Sequence, residues 1–217
     1  MVFIKRTSIQ KVLSLVLVIA LMMCVTQVVT ADLNIGNINS RSGDGNVAKW
    51  RSTPHSVLFR NCLLGTLHDT YENAVNSAMG SWNAIRDTDG SQLVYLSSTT
   101  DSDATDQYLI MGDSLPLGTI ARVYYTSCTY YNDAQFVYVQ LNTSHTWTDG
   151  AANGCYDVQT ILVHEFGHVV GLSHCHEINE TCAYSNDDTF VMYPYGYTFY
   201  TKRLLKENDA SRYRSLY

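Results

Sequence analysis

Three histidines at a fixed spacing carry the chemistry legible in this sequence. The stretch His164-Glu165-Phe166-Gly167-His168-Val169-Val170-Gly171-Leu172-Ser173-His174 sets His164 and His168 four residues apart. At 3.6 residues per turn, both imidazoles project from one helix face toward a single cation. Glu165 sits about 100° further round, off that line but within reach of a solvent molecule held by the cation. Gly171 allows the helix to stop in a backbone geometry that other residues resist, so the chain can double back and deliver His174 as a third ligand. Three neutral imidazoles with solvent completing the coordination describe a catalytic zinc and not a closed structural one. Zinc brings the pKa of water down to about 7; Glu165 is then expected to accept the proton during attack on a carbonyl and pass it to the departing amine. With seven His, five Glu and 13 Gly in 217 residues, the five fixed positions would coincide by accident with a chance on the order of one in a hundred thousand, which sets aside a reading of these histidines as unrelated surface or core residues.

These side chains need a helix to hold them and a sheet to hold the helix. Tyr156 to Val170 reads as that helix, with Asp157 near its start and Gly171 at its stop. A second helix is expected from Thr70 to Ile85, where Ala74, Ala78, Met79, Trp82 and Ile85 fall on one face. Strands are expected at His55 to Arg60, Leu93 to Leu96, Tyr108 to Met111, Thr119 to Tyr125 and Gln135 to Leu141. A last helix is expected from about Asn208 to Leu216. This order gives an α+β fold, a sheet packed against helices, with a loop-rich later half.

Residues 1–31 read as an export signal: a basic start with Lys5, Arg6 and Lys11, an apolar run from Val12 to Val29, and a small-residue cleavage site at Val29-Thr30-Ala31. An uncleaved anchor formed by residues 12–29 is the alternative, and a lipoprotein site at Cys24 lacks the small residues before it. Either way the rest of the chain is expected outside the cytoplasm, as a secreted protein or one held at the outer face of the membrane. Residues 32–48 read as a flexible lead-in and 49–217 as one catalytic domain. Removing residues 1–31 takes the formal net charge from −6 to −9, which argues against nucleic-acid partners and against electrostatic binding to anionic membranes. Export also permits disulfides: Cys175 and Cys182 are close enough to staple a loop, and Cys128 with Cys155 is the next pairing, leaving Cys62 over.

The extended histidine motif resembles that of the metzincin zinc metallopeptidases, most closely the matrixin catalytic domain. Val163-His164-Glu165-Phe166-Gly167-His168, Gly171-Leu172 and Met192-Tyr193-Pro194 carry the resemblance, with Trp147 and the closing Ser211-Arg212-Tyr213-Arg214-Ser215-Leu216-Tyr217 in looser support. It runs from Trp50 to the C-terminus. The resemblance implies a zincin-like domain with a twisted, mainly parallel sheet, a long active-site helix and a smaller C-terminal subdomain that carries a methionine turn and a terminal helix. It implies Met192 as an apolar floor beneath the zinc ligands, and Trp147 following a strand like the family's substrate-lining edge strand. It also implies an endopeptidase acting on protein or peptide substrates, expected to be a monomer.

Departures from the pattern bear on specificity. Cys175 follows His174 where a serine is usual, and eighteen positions separate His174 from Met192. Tyr193, Pro194, Tyr195 and Tyr197 are the candidate substrate-pocket residues, with Gly196 at the position where a matrixin tyrosine would line the pocket. Asp101, Asp103 and Asp106 could bind calcium, but no complete ligand loop is visible, so a solvated loop is expected. A non-catalytic, zinc-containing binding protein on a protease scaffold is the rival reading. The intact Glu165 argues against it.

Overall fold

Alternation of apolar and polar residues builds the sheet. In the strand His55–Asn61 the buried positions are Val57, Phe59 and Asn61, while Ser56 and Leu58 face outward, as a period of two requires of a strand with one face on a core. The computed structural model describes residues 29–30, 49–125, 134, 136–174, 190–193 and 195–217, with only the backbone described at 29, 30 and 195. The lead-in 32–48, Cys128, the Cys175/Cys182 pair and Pro194 lie outside the described residues.

In chain order the elements are β1 (Val29–Thr30), β2 (His55–Asn61), α1 (Leu63–Thr66), α2 (Glu72–Asn83), β3 (Val94–Thr99), β4 (Tyr108–Asp113), β5 (Ala121–Tyr125), β6 (Val137–Asn142), β7 (Trp147–Thr148), β8 (Tyr156–Asp157), α3 (Val158–Val169), β9 (Tyr195–Gly196) and α4 (Glu207–Arg214). Five strands form one sheet in the order β3-β2-β4-β6-β5. The pairs β2–β3, β2–β4 and β4–β6 are parallel and β5–β6 is antiparallel. The α+β class and mainly parallel sheet stand as expected. The place of the edge strand does not: β6, which precedes Trp147, is interior between β4 and β5, and β5 is the edge. The sequence hides this because β6 is buried at Val137, Val139, Gln140, Leu141 and Asn142, and an alternating pattern does not tell which side of a strand is paired.

Two helices pack beneath the sheet. In α2, Ala74, Val75, Ala78, Met79 and Trp82 are buried, a stripe of small residues ending in a large ring that lets α3 approach closely. The Trp82 indole donates to the Val163 carbonyl at 2.8 Å, and the Trp50 indole donates to the Val169 carbonyl at 3.0 Å. Both indole donors thereby brace carbonyls of α3. The helix expected from Thr70 to Ile85 runs from Glu72 to Asn83, shorter than expected at both ends, and leaves Ile85 of the apolar pattern beyond it. Cys155 carries a free thiol, as does Cys62, so the expected Cys128–Cys155 bridge is absent.

Candidate active site

Helix α3 starts on a strong cap. The buried Asp157 carboxylate accepts from the Thr160 amide at 3.0 Å, the Thr160 hydroxyl at 2.6 Å and the Gly150 amide at 2.7 Å, meeting donors that a helix start leaves open. Arg203 closes on the same carboxylate through Nε at 2.9 Å and through Nη2, and also pairs with Asp149 at 2.6 Å. Burial works against the Asp157 charge, but the bonds from Arg203, Thr160 and Gly150 overcome it and hold the carboxyl below its ordinary range.

The helix stops where the glycine predicts. Gly171 has φ +101°, the Leu172 amide donates to the Gly167 carbonyl at 2.9 Å, and this six-to-one bond with a left-handed glycine is a Schellman stop. The reversal turns His174 back toward the helix. Arg212 of α4 donates to the Ser173 carbonyl at 3.0 Å and steadies the returning loop.

The three histidines converge. Their Nε2 atoms form a triangle with sides of 3.1, 3.2 and 3.2 Å, and all three residues are buried. Two nitrogens on one tetrahedral zinc, each bonded at about 2.0–2.1 Å, lie about 3.3 Å apart, so the donor set fits such an ion. The opposite ring nitrogens support the same assignment. His164 Nδ1 lies 2.7 Å from the Val191 carbonyl and His168 Nδ1 lies 2.7 Å from the Leu172 carbonyl. A carbonyl only accepts, so each Nδ1 carries the proton and each Nε2 turns its lone pair inward. Burial first, and then the charge that His168, His174 or Lys202 would set against it, pushes His164 well below the ordinary histidine range and keeps it neutral. Among the described residues this is the one group of three ligand side chains gathered closely enough to share a metal. Asp101, Asp103 and Asp106 do not gather in that way, and Asp106 pairs with Arg60 at 2.6 Å.

Glu165 is fully buried on the same helix, next in sequence to His164. Met192 is fully buried too, and its sulfur lies so close to the helix that a Cβ built on Gly167 would stand 2.2 Å from it. Gly167 is thus required between His164 and His168, where the Met192 sulfur packs against the helix. The methionine segment is held from below by the buried Asp209 of α4, which accepts from the amides of Val191 at 3.1 Å and Lys206 at 3.3 Å, with a longer contact of 3.5 Å to that of Met192.

Beside His164 a narrow cavity of about 20 Å³ is bounded by Tyr193, Tyr197 and Tyr200, by Ile161 and Val191, and by Thr160 and Lys202. Tyr193 and Tyr197 line this cavity; for Tyr195 only the strand β9 is described. Tyr200, Lys202 and Thr160 carried no sequence signal, since each precedes or follows the motif at no fixed offset. Asp209 could have been found as the acidic third residue of a helix start. In β9, Gly196 backs onto Ile120 and Ile161, where a Cβ would come within 2.8 and 3.2 Å of their Cδ1 atoms, and Val29–Thr30 pairs with it antiparallel.

Comparison with known families agrees with the site. Residues 116–217, which contain β5, β6, the histidine triangle, the methionine turn and α4, match the matrixin family model, and the chain carries a matrixin-like domain.

Proposed function

We propose that this protein is a secreted zinc endopeptidase in which His164, His168 and His174 hold the metal and Glu165 is the general base. The observation that carries the reading is the triangle of Nε2 atoms with two Nδ1 protons anchored on carbonyls. Zinc, when bound, supplies Lewis acidity that polarises a carbonyl and makes water acidic near neutral pH. The chain's own groups do the rest. The Glu165 carboxylate accepts the proton of the attacking water and delivers it to the departing amine. Extended substrate is positioned by backbone. Among the described residues β5 pairs only with β6 and ends the sheet, the position at which an extended substrate would add as a further strand, and β9 takes an extended partner in β1.

The basic start and apolar run of residues 1–31 support export. The binding-protein reading is weaker because Glu165 and all three ligands are present together, and loss of the base is the simplest route to inactivity. Purified mature protein is expected to cleave casein or quenched-fluorescence peptides and to lose that activity with a chelator. Cleavage that survives complete removal of metal would reject the mechanism.

A further inference from the structure

Two segments far apart in the chain close on the last turn of α3. We propose that Tyr217 is a positioning residue for the metal site: its hydroxyl fixes the turn at which the chain reverses, and through that turn the rings of His168 and His174. The inference rests on the reading of the three histidines as zinc ligands and adds a residue that touches none of them.

A helix end leaves its final carbonyls without partners inside the helix. The Leu172 amide returns to the Gly167 carbonyl and the Gly171 amide to the His168 carbonyl, both at 2.9 Å. The next two carbonyls are met by side chains from elsewhere. The Trp50 indole donates to that of Val169 at 3.0 Å, and the Tyr217 hydroxyl donates to that of Val170 at 3.1 Å. The same hydroxyl accepts from the Trp50 amide at 3.3 Å, so one oxygen ties Trp50 to the end of the helix. Lys49 holds this tyrosine in place: its ammonium donates to the Leu216 carbonyl at 2.7 Å and lies 5.7 Å from the centre of the Tyr217 ring.

The Val170 carbonyl belongs to the peptide plane that enters Gly171. Because a peptide unit is rigid, holding that oxygen holds the plane from which Gly171 turns with φ +101°. The turn has little slack, since a Cβ built on Gly171 would lie 3.1 Å from both Leu216 Cδ1 and Lys49 Cβ and 3.6 Å from the Tyr217 oxygen. The metal site follows directly. The Leu172 carbonyl accepts the Nδ1 proton of His168 at 2.7 Å, and two residues later His174 Nε2 stands 3.1 and 3.2 Å from those of His164 and His168. A change of direction at Gly171 therefore moves the anchor of one ligand and the whole of another, while His164 keeps its own anchor on Val191.

Tyr213 supplies the control. Its hydroxyl accepts from the Val94 amide at 2.8 Å, on a strand that carries none of the three histidines. Tyr217→Phe and Tyr213→Phe each remove one hydroxyl and comparable hydrogen bonding, so a loss of general stability affects both. Zinc affinity by competition with a chelator, and hydrogen exchange of the metal-free protein, separate the two roles. Tyr217→Phe is expected to weaken zinc binding about tenfold, the lower end for residues that orient ligands, and to speed exchange of the Gly171 and Leu172 amides. Tyr213→Phe should leave zinc affinity within about twofold of wild type, as a site without shared partners does. Unchanged zinc affinity in Tyr217→Phe, or equal weakening in both variants, overturns the positioning role. In the metal-free wild-type protein, the Gly171 and Leu172 amides should exchange as slowly as those within α3. A turn that exchanges freely there is not held by Tyr217, which overturns the role whatever the variants do. Wild-type protein that takes up no zinc overturns the ligand reading instead.

Discussion

His164 donates its Nδ1 proton to the Val191 carbonyl across 2.7 Å, while the Val191 amide donates to the Asp209 carboxylate at 3.1 Å. One residue therefore joins the metal-site helix to the terminal helix, and the orientation of an imidazole depends on a carboxylate 45 positions further along the chain. Asp209→Ala would leave buried amides of the methionine turn unpaired. It is expected to cost about 3 kcal/mol of stability and to weaken metal affinity roughly 10- to 100-fold. Denaturant unfolding and competition with a zinc chelator would check the two effects separately.

Gly167 and Met192 give a steric prediction. Gly167→Ala puts a methyl group where the Met192 sulfur already sits and within 2.9 Å of the Trp82 ring. A cost of about 1–3 kcal/mol or more is expected, as for overpacked cores. Adding Met192→Ala should recover part of the loss, although the double variant keeps the void left by methionine. Thermal unfolding of the two single variants and the double variant measures the coupling.

The existence and order of these elements were open to the sequence, but their partners were not. The helix carrying the histidines, its Asp157 start and its Gly171 stop follow from period and capping chemistry, and the triangle follows from them. The edge position of β5 was hidden because both β5 and β6 alternate. The free thiol of Cys155 was hidden because spacing in sequence does not report distance in space. Lys202, Arg203 and Asp209 were silent because what each touches, Phe190, Asp157 and Val191, is decided by how the last segment folds back.

Asp157 gives a pH dependence whose sign is fixed. Its folded-state pKa lies below the ordinary 3.8, so the stability it contributes is fully present above that value and is lost as pH falls through the depressed pKa. At neutral pH, Asp157→Asn is expected to be less stable than wild type by about 3 kcal/mol, because Arg203 loses a buried partner and the cap is weakened. The gap should close below the depressed pKa. Urea unfolding of both proteins at pH 7 and below pH 3 would show it.

Glu165→Gln separates metal holding from proton transfer. The variant is expected to retain one zinc per chain and to lose about 10²- to 10⁴-fold or more in kcat, the range of a general base. Metal analysis and peptide turnover on one preparation measure both. A variant that loses zinc along with activity would place Glu165 among the ligands.

X-ray absorption at the zinc edge of the purified mature protein tests the centre of the account most directly. Three imidazole nitrogens at about 2.0–2.1 Å with one oxygen donor, at one zinc per chain and abolished by His174→Ala, are expected. Sulfur in the first coordination sphere, fewer than three histidines, or protein that stays metal-free after incubation with zinc would contradict it.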